Sequence, residues 1–272
     1  MGAILGIDAA WTKLGSSGLV LVAKKPTGWH LIAVEASYQH FLASADRSLI
    51  VLERLSGSLP EAPELLAAAS MLCGRAVDLI AVDMPLARSS ILGRRCSDNV
   101  VSRVYGGRKC GTHTPSASRP GPISDVLNES CARAGYSLLT NEISTPGLIE
   151  VYPHPALIEL TGASKRLPYK ISKVGTYWPS DTPSERRARL YHQWNEIIMS
   201  LENEIAGVTT ALPGLEPSAT TSDVKAYEDK LDAIVCAWVG VCALEGRATP
   251  YGDNDSAIWM PTPRVVTPIR TI

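Results

Sequence analysis

Three stretches near the start of the chain are apolar and short, and they are separated by polar or turn-forming residues. Ala3 to Asp8 is a non-alternating apolar run, the pattern of a strand covered on both faces. Gly18 to Lys24 and Trp29 to Ser37 follow, the second after a Pro26-Thr27-Gly28 turn, so the three predict an antiparallel meander. Ser44 to Leu55 and Glu61 to Cys73 carry apolar residues at helical spacing. Val77 to Asp83 is a second fully apolar strand, and Pro85 stops it.

An irregular stretch from about residue 86 to 122 comes next, rich in Gly, Ser, Arg and Pro, with helices expected at Cys96 to Val104 and, beyond it, Ser124 to Gly135. Gly147 to Tyr152 reads as a further buried strand, and a short helix is expected after Pro153-His154-Pro155. Thr182-Pro183-Ser184-Glu185 is a capping box with Pro at the first helical position, opening a helix to about Ile205. A loop from Gly207 to Thr221 leads to a helix capped by Ser222 or Asp223 and reaching about Glu245. A short strand at Ala257 to Met260 is expected before a Pro-rich tail.

A meander followed by α/β units predicts one α/β domain over 1–272, with a mixed five-stranded sheet and an insertion at about 86–122. Ligands gather at the strand ends of such sheets. Asp8 and Asp83 end their strands, and Glu150 lies within the third candidate for parallel pairing. Acids brought together repel and raise one another's pKa unless a cation joins them, and an all-oxygen set is what Mg²⁺ or Mn²⁺ prefers. Asp229 and Asp232 project from one face of the last long helix, which turns fully apolar immediately afterwards. Asp232 lies too far into that helix to serve its N-terminal dipole, and is read as a metal or substrate group.

These blocks resemble a known family. Gly-Ile-Asp-Ala-Ala-Trp-Thr at 6–12, Ala-Val-Asp-Met-Pro-Leu at 81–86 and Gly-Arg-Arg-Cys at 93–96 are similar to the domain-of-unknown-function 429 family. So are Glu-Val-Tyr-Pro-His-Pro at 150–155, Glu-Asp-Lys-Leu-Asp-Ala-Ile-Val-Cys-Ala-Trp at 228–238 and the Trp-x-Pro around Trp259. The family is regarded as predicted nucleases of the ribonuclease H-like superfamily, and Asp229 to Ile234 also resembles the last catalytic helix of Holliday-junction resolvases. The resemblance implies Asp8, Asp83 and Asp232 as catalytic and metal-binding groups, with Asp229 and Glu150 as further ligands of Mg²⁺ or Mn²⁺. Glu150 is the least secure, since its family equivalent can instead serve His154. The implied chemistry is two-metal hydrolysis of a phosphodiester in nucleic acid or a nucleotide.

Arg94, Arg95, Arg103, Arg108 and Lys109 concentrate positive charge after Asp83, either to hold substrate phosphates or as ordinary ion-paired loop charges. His154, fixed between two prolines, is an acid–base or a structural hydrogen-bonding group, and Lys170 a phosphate contact or a solvated charge. His113 and Trp11 are weaker candidates, for chemistry and for base stacking, and Trp11 reads first as a packing residue. No dinucleotide or Walker fingerprint and no Gly-x-Ser-x-Gly elbow occurs. The net charge of −1 weighs against every nucleic-acid reading. Two other readings stand beside the nuclease: a non-catalytic nucleic-acid-binding module, and a nucleotide phosphohydrolase of the actin or sugar-kinase type. The six cysteines show no metal-ligand spacing and are expected to be reduced. An N-terminus without a basic leader, and no long apolar run, lead to a cytoplasmic expectation and to no membrane partner.

Overall fold

The computed structural model describes residues 2–49, 57–58 and 61–263. Seven strands form one mixed sheet: β1 (Ala3–Asp8), β2 (Gly18–Lys25), β3 (Gly28–Glu35), β4 (Leu79–Asp83), β5 (Gly147–Val151), β6 (Ala248–Gly252) and β7 (Ala257–Pro261), in the order β3-β2-β1-β4-β5-β7-β6. The first three pair antiparallel, and β1, β4, β5 and β7 run parallel. The expected mixed α/β architecture is present, and the order of its first five strands is compatible with a ribonuclease H-like sheet. The expected count of five is corrected to seven. β6, with Pro250 and Gly252 inside it, is an edge strand paired on one side by β7, a place where a missing amide donor is tolerated.

Nine helices are described: α1 (Tyr38–Ala45), α2 (Ala62–Cys73), α3 (Cys96–Tyr105), α4 (Pro122–Arg133), α5 (Pro153–Thr161), α6 (Val174–Tyr177), α7 (Pro183–Glu202), α8 (Val208–Ala211) and α9 (Thr221–Leu244). The helix expected from Ser44 to Leu55 is not found over its described part: α1 ends at Ala45, with Asp46 in extended backbone, and it begins at Tyr38 because the Ser37 side chain accepts from the His40 amide and caps it there. Residues 50–55 of that expectation lie outside the described residues. α9 likewise starts sooner than expected, at a capping box between Thr220 and Asp223. The loop expected from Gly207 to Thr221 contains the one-turn α8. None of the helices among the described residues is long and apolar enough to cross a membrane.

The all-apolar strands are explained by two cores. Ile4, Val20, Val22, Leu79, Ala81, Ile149 and Val151 face one side, with residues of α5, α7 and α9. Leu5, Ile7, Leu19, Leu21, Ile80, Val82 and Leu148 face the other, with residues of α1, α2 and α4. Successive side chains of one strand therefore enter different cores, which is why these strands read as apolar without alternation.

α9 lies against β1, β2 and β4 at close range. A Cβ on Gly6 would stand 2.4 Å from the Ala233 carbonyl oxygen, and one on Gly18 would stand 2.0 Å from that of Asp229. Only glycine lets the helix backbone approach the sheet so nearly. That approach delivers the Asp229 to Asp232 turn to the carboxyl ends of β1 and β4.

Candidate carboxylate site

β1 and β4 are in parallel register from Ile4 opposite Leu79 to Asp8 opposite Asp83. The two aspartates are thus neighbours at the last rung of the ladder, where the sheet ends and both side chains are half-buried. Asp232, on the buried face of α9, is fully enclosed. Burial, followed by the charges of Asp232 and Asp229, holds the Asp8 carboxyl well above the usual carboxylate range; Lys170 opposes the shift. Burial and Asp232 push Asp83 up to about 7, again against Lys170. Asp8, Asp83 and Asp232 therefore share one electrostatic environment. No hydrogen bond to the carboxylate of Asp8 or Asp83 is found among the described residues.

The other acids are engaged. Tyr169 Oη donates to Asp232 Oδ1 at 2.8 Å, and Lys170 Nζ donates to Oδ2. Burial works against the Lys170 charge, yet Asp232, with Tyr169, Glu228 and Asp8, holds its pKa well above the ordinary value. Lys170 is thus a counter-ion within the acid cluster, where the sequence suggested a phosphate contact or a solvated charge. Ser16 Oγ donates to Asp229 Oδ2 at 3.1 Å, and Lys225 Nζ donates to Oδ1. Glu228 accepts the Ile171 amide at 2.6 Å and lies 3.3 Å from Lys225 Nζ.

Glu150, expected as a further metal ligand, lies on β5 and accepts both terminal nitrogens of Arg95, at 2.6 and 2.8 Å, and the Leu86 amide at 2.8 Å. Arg95 also donates to both oxygens of Asp98 and to the Leu86 carbonyl. Arg95 and Glu150 are engaged with each other and also line the cavity beside Asp83; together they anchor the start of the 86–122 connection to the sheet. Arg94 is spread over Asn99, Ser102, Thr114 and the Asp98 carbonyl. Arg108 ties α5 down through Glu159 and the Ala163 carbonyl. Arg95 and Arg108 are ion-paired, whereas Arg94 is exposed and hydrogen-bonded to neutral oxygens.

His154 is buried between Tyr152 and Tyr169, with ring centroids 5.4 and 5.2 Å away. Burial, with Lys170 and Arg166 nearby, pushes its pKa well below the ordinary value, and its Nδ1 has no hydrogen-bond partner among the described residues. It is a neutral imidazole within reach of the cluster's field.

Two cavities share Trp11 and His113 in their walls, and Asp83 bounds the one nearer the sheet. The inner, of about 40 Å³, is bounded by Trp11, Asp83, His113 and Tyr152 among others. The outer, of about 500 Å³, is lined by Trp11, His113, Thr114, Ser116 and Arg119. The Arg119 guanidinium stands 6.0 Å from the Trp11 ring centroid. Trp11 is thus part of a cleft wall and also packs, partly buried, against the second core, the packing role expected first.

Sequence reasoning missed Tyr169, Lys225, Glu228 and Ser16, whose roles come only from tertiary contact. Glu228 alone carried a signal, since it precedes Asp229 on a helix about to turn apolar.

Oxygen donors at Asp8 and Asp83 suit a hard divalent cation, which is commonly held through one or two carboxylates and waters. Among the described residues no group of three or more His, Cys, Asp or Glu side chains forms a ready-made metal centre. No curated protein and no solved structure matches this chain. A family model, described as protein of unknown function (DUF429), matches residues 6–256, nearly the full described length. The chain belongs to the DUF429 family.

Proposed function

We propose that this protein is a Mg²⁺- or Mn²⁺-dependent hydrolase that cleaves a phosphodiester in nucleic acid or a nucleotide. The observation that carries the reading is the pairing of Asp8 with Asp83 on adjacent parallel strands, both carboxylates without hydrogen-bond partners. Two buried acids held side by side at a strand-end cleft are costly unless a cation or a proton joins them.

The bound cation would activate water and polarise the phosphoryl oxygen. Asp8 and Asp83 would hold it, and Asp232 would add negative field from the third side. Lys170 balances that field and keeps the cluster from being wholly anionic. Trp11 and Arg119 would receive the substrate in the outer cavity, whose volume of about 500 Å³ has the scale of a small-molecule site. An aromatic ring stacks on any unpaired base, and a guanidinium pairs with a phosphate.

The test is Mn²⁺-dependent cleavage of single-stranded, duplex and branched substrates by the wild type and Asp8→Asn. Cleavage confined to the wild type is expected; equal cleavage by both would remove Asp8 from the mechanism. Thermal stabilisation by Mn²⁺, lost in Asp8→Asn, is the substrate-free counterpart.

A further inference from the structure

Six acidic side chains gather around the ends of β1, β4 and β5: Asp8, Asp83, Glu150, Glu228, Asp229 and Asp232. Four of them are already provided with donors. Glu150 takes Arg95 on both oxygens, and Asp229 takes Ser16 on one oxygen and Lys225 on the other. Glu228 takes the Ile171 amide on Oε2, with Lys225 and Lys170 at 3.3 and 3.5 Å from Oε1. Asp232 takes the Tyr169 hydroxyl on one oxygen and the Lys170 ammonium on the other. Of these six, Asp8 and Asp83 have no hydrogen-bond donor among the described residues, and two carboxylates suffice for one divalent cation rather than two.

Lys170 is not a loosely placed surface lysine. The carbonyl of the preceding Tyr169 accepts the Trp194 indole N–H at 2.7 Å in the core, and the amide of the following Ile171 donates to Glu228. Its backbone is pinned on both sides, and its ammonium points to Asp232 while acting electrostatically on Asp8 and Asp83. A fixed ammonium on an otherwise buried carboxylate stands where a second cation would have to bind. Entry of that second ion would require breaking a buried ion pair and leaving the ammonium without a partner, which is strongly unfavourable.

We propose that the site takes a single divalent cation, at Asp8 and Asp83, and that Lys170, held on Asp232, supplies the second positive charge toward the substrate phosphate. The inference rests on the metal-dependent reading above and replaces the two-ion expectation by an ion and a side chain. An ammonium brings what a second metal does not: a positive charge that is covalently retained and that donates hydrogen bonds to a phosphoryl oxygen.

The experiment counts Mn²⁺ bound per chain, by the electron paramagnetic resonance signal of free Mn²⁺, in substrate-free protein at neutral pH. One ion per chain is expected in the wild type and in Lys170→Arg, rising to two in Lys170→Gln, where Asp232 is released. Two ions in the wild type would overturn the proposal, whether or not either variant folds. One ion in Lys170→Gln, with its circular dichroism unchanged, would overturn the assignment of Lys170 to the second cation position. No bound ion in the wild type would instead overturn the metal-dependent reading itself, and this inference with it.

Discussion

Asp8 and Asp83 face one another across the last rung of the β1–β4 ladder, so their separation is set by strand pairing rather than by loop conformation. Both are held protonated above the usual range by burial and by Asp232. For Asp83 the folded value, about 7, exceeds the ordinary 3.8, so the folded state binds the proton more tightly than the unfolded chain. That contribution is complete below pH 3.8 and is lost as pH rises to about 7. The metal-free wild type is therefore expected to lose stability over that window, and Asp83→Asn to lose less. At neutral pH the variant should gain on the order of 1 kcal/mol, about 2–4 °C in Tm for a chain of this size. Thermal melts across pH, in chelator, check this; saturating Mn²⁺ should reverse the ranking.

The close seat of α9 on β1 makes Gly6 a control point for Asp232. A methyl group at Gly6 meets the Ala233 carbonyl oxygen at 2.4 Å and the Ala237 nitrogen at 2.8 Å, both backbone atoms unable to swing aside. Gly6→Ala should cost about 1–3 kcal/mol, as overpacking does. The same displacement moves Asp232 from the Asp8–Asp83 pair, so Mn²⁺ affinity should fall by more than it does in a destabilised variant made elsewhere in the core. Denaturant melts together with Mn²⁺ titration separate the two effects.

Arg95 is the keystone of a buried ionic group, with Glu150 and Asp98 on its two sides. Removing it leaves two buried carboxylates without a partner, and Arg95→Ala should cost about 3–5 kcal/mol. Arg95→Lys should not restore stability, since an ammonium cannot make the two-sided planar contact. A double variant, Arg95→Met with Glu150→Gln, is expected to recover part of the loss. Equal stability of wild type and Arg95→Ala would remove the structural role given to this group.

Trp11 and Arg119 line the outer cavity and contribute no carboxylate to the site, so they should act on binding. Losing one stacked base costs roughly 1–3 kcal/mol. Trp11→Ala and Arg119→Ala are each expected to raise KM about tenfold or more with kcat largely kept, the mark of uniform binding. Steady-state kinetics on a single-stranded substrate test it; a fall in kcat alone would place these residues elsewhere in the reaction.

Much of this site was legible along the chain because strand-end acids interrupt apolar runs. Asp8 and Asp83 stand at such breaks, and Asp232 is a charge inside an apolar helix. Glu150 has the same local look, an acid within a buried strand, yet it belongs to Arg95, a partner 55 positions away that only the folded chain brings near. Lys170 reads as one of two lysines in a polar stretch, and nothing local announces that Tyr169 and Ile171 would be anchored on either side of it. β6 escaped notice for a related reason: an edge strand with Pro250 and Gly252 needs only its partner β7, not a strand-like composition. The arginines after Asp83 look alike in sequence, and differ only in which carbonyls and carboxylates the fold presents to each.

The acid pair sits on the ladder, while the cleft wall comes from the 86–122 connection, fastened to the sheet through Arg95. These parts are mechanically separate. The connection could therefore change, and with it what reaches the strand ends, without disturbing the spacing of Asp8 and Asp83. In that arrangement the connection governs access and the ladder governs the acid pair, so a change in one leaves the other in place.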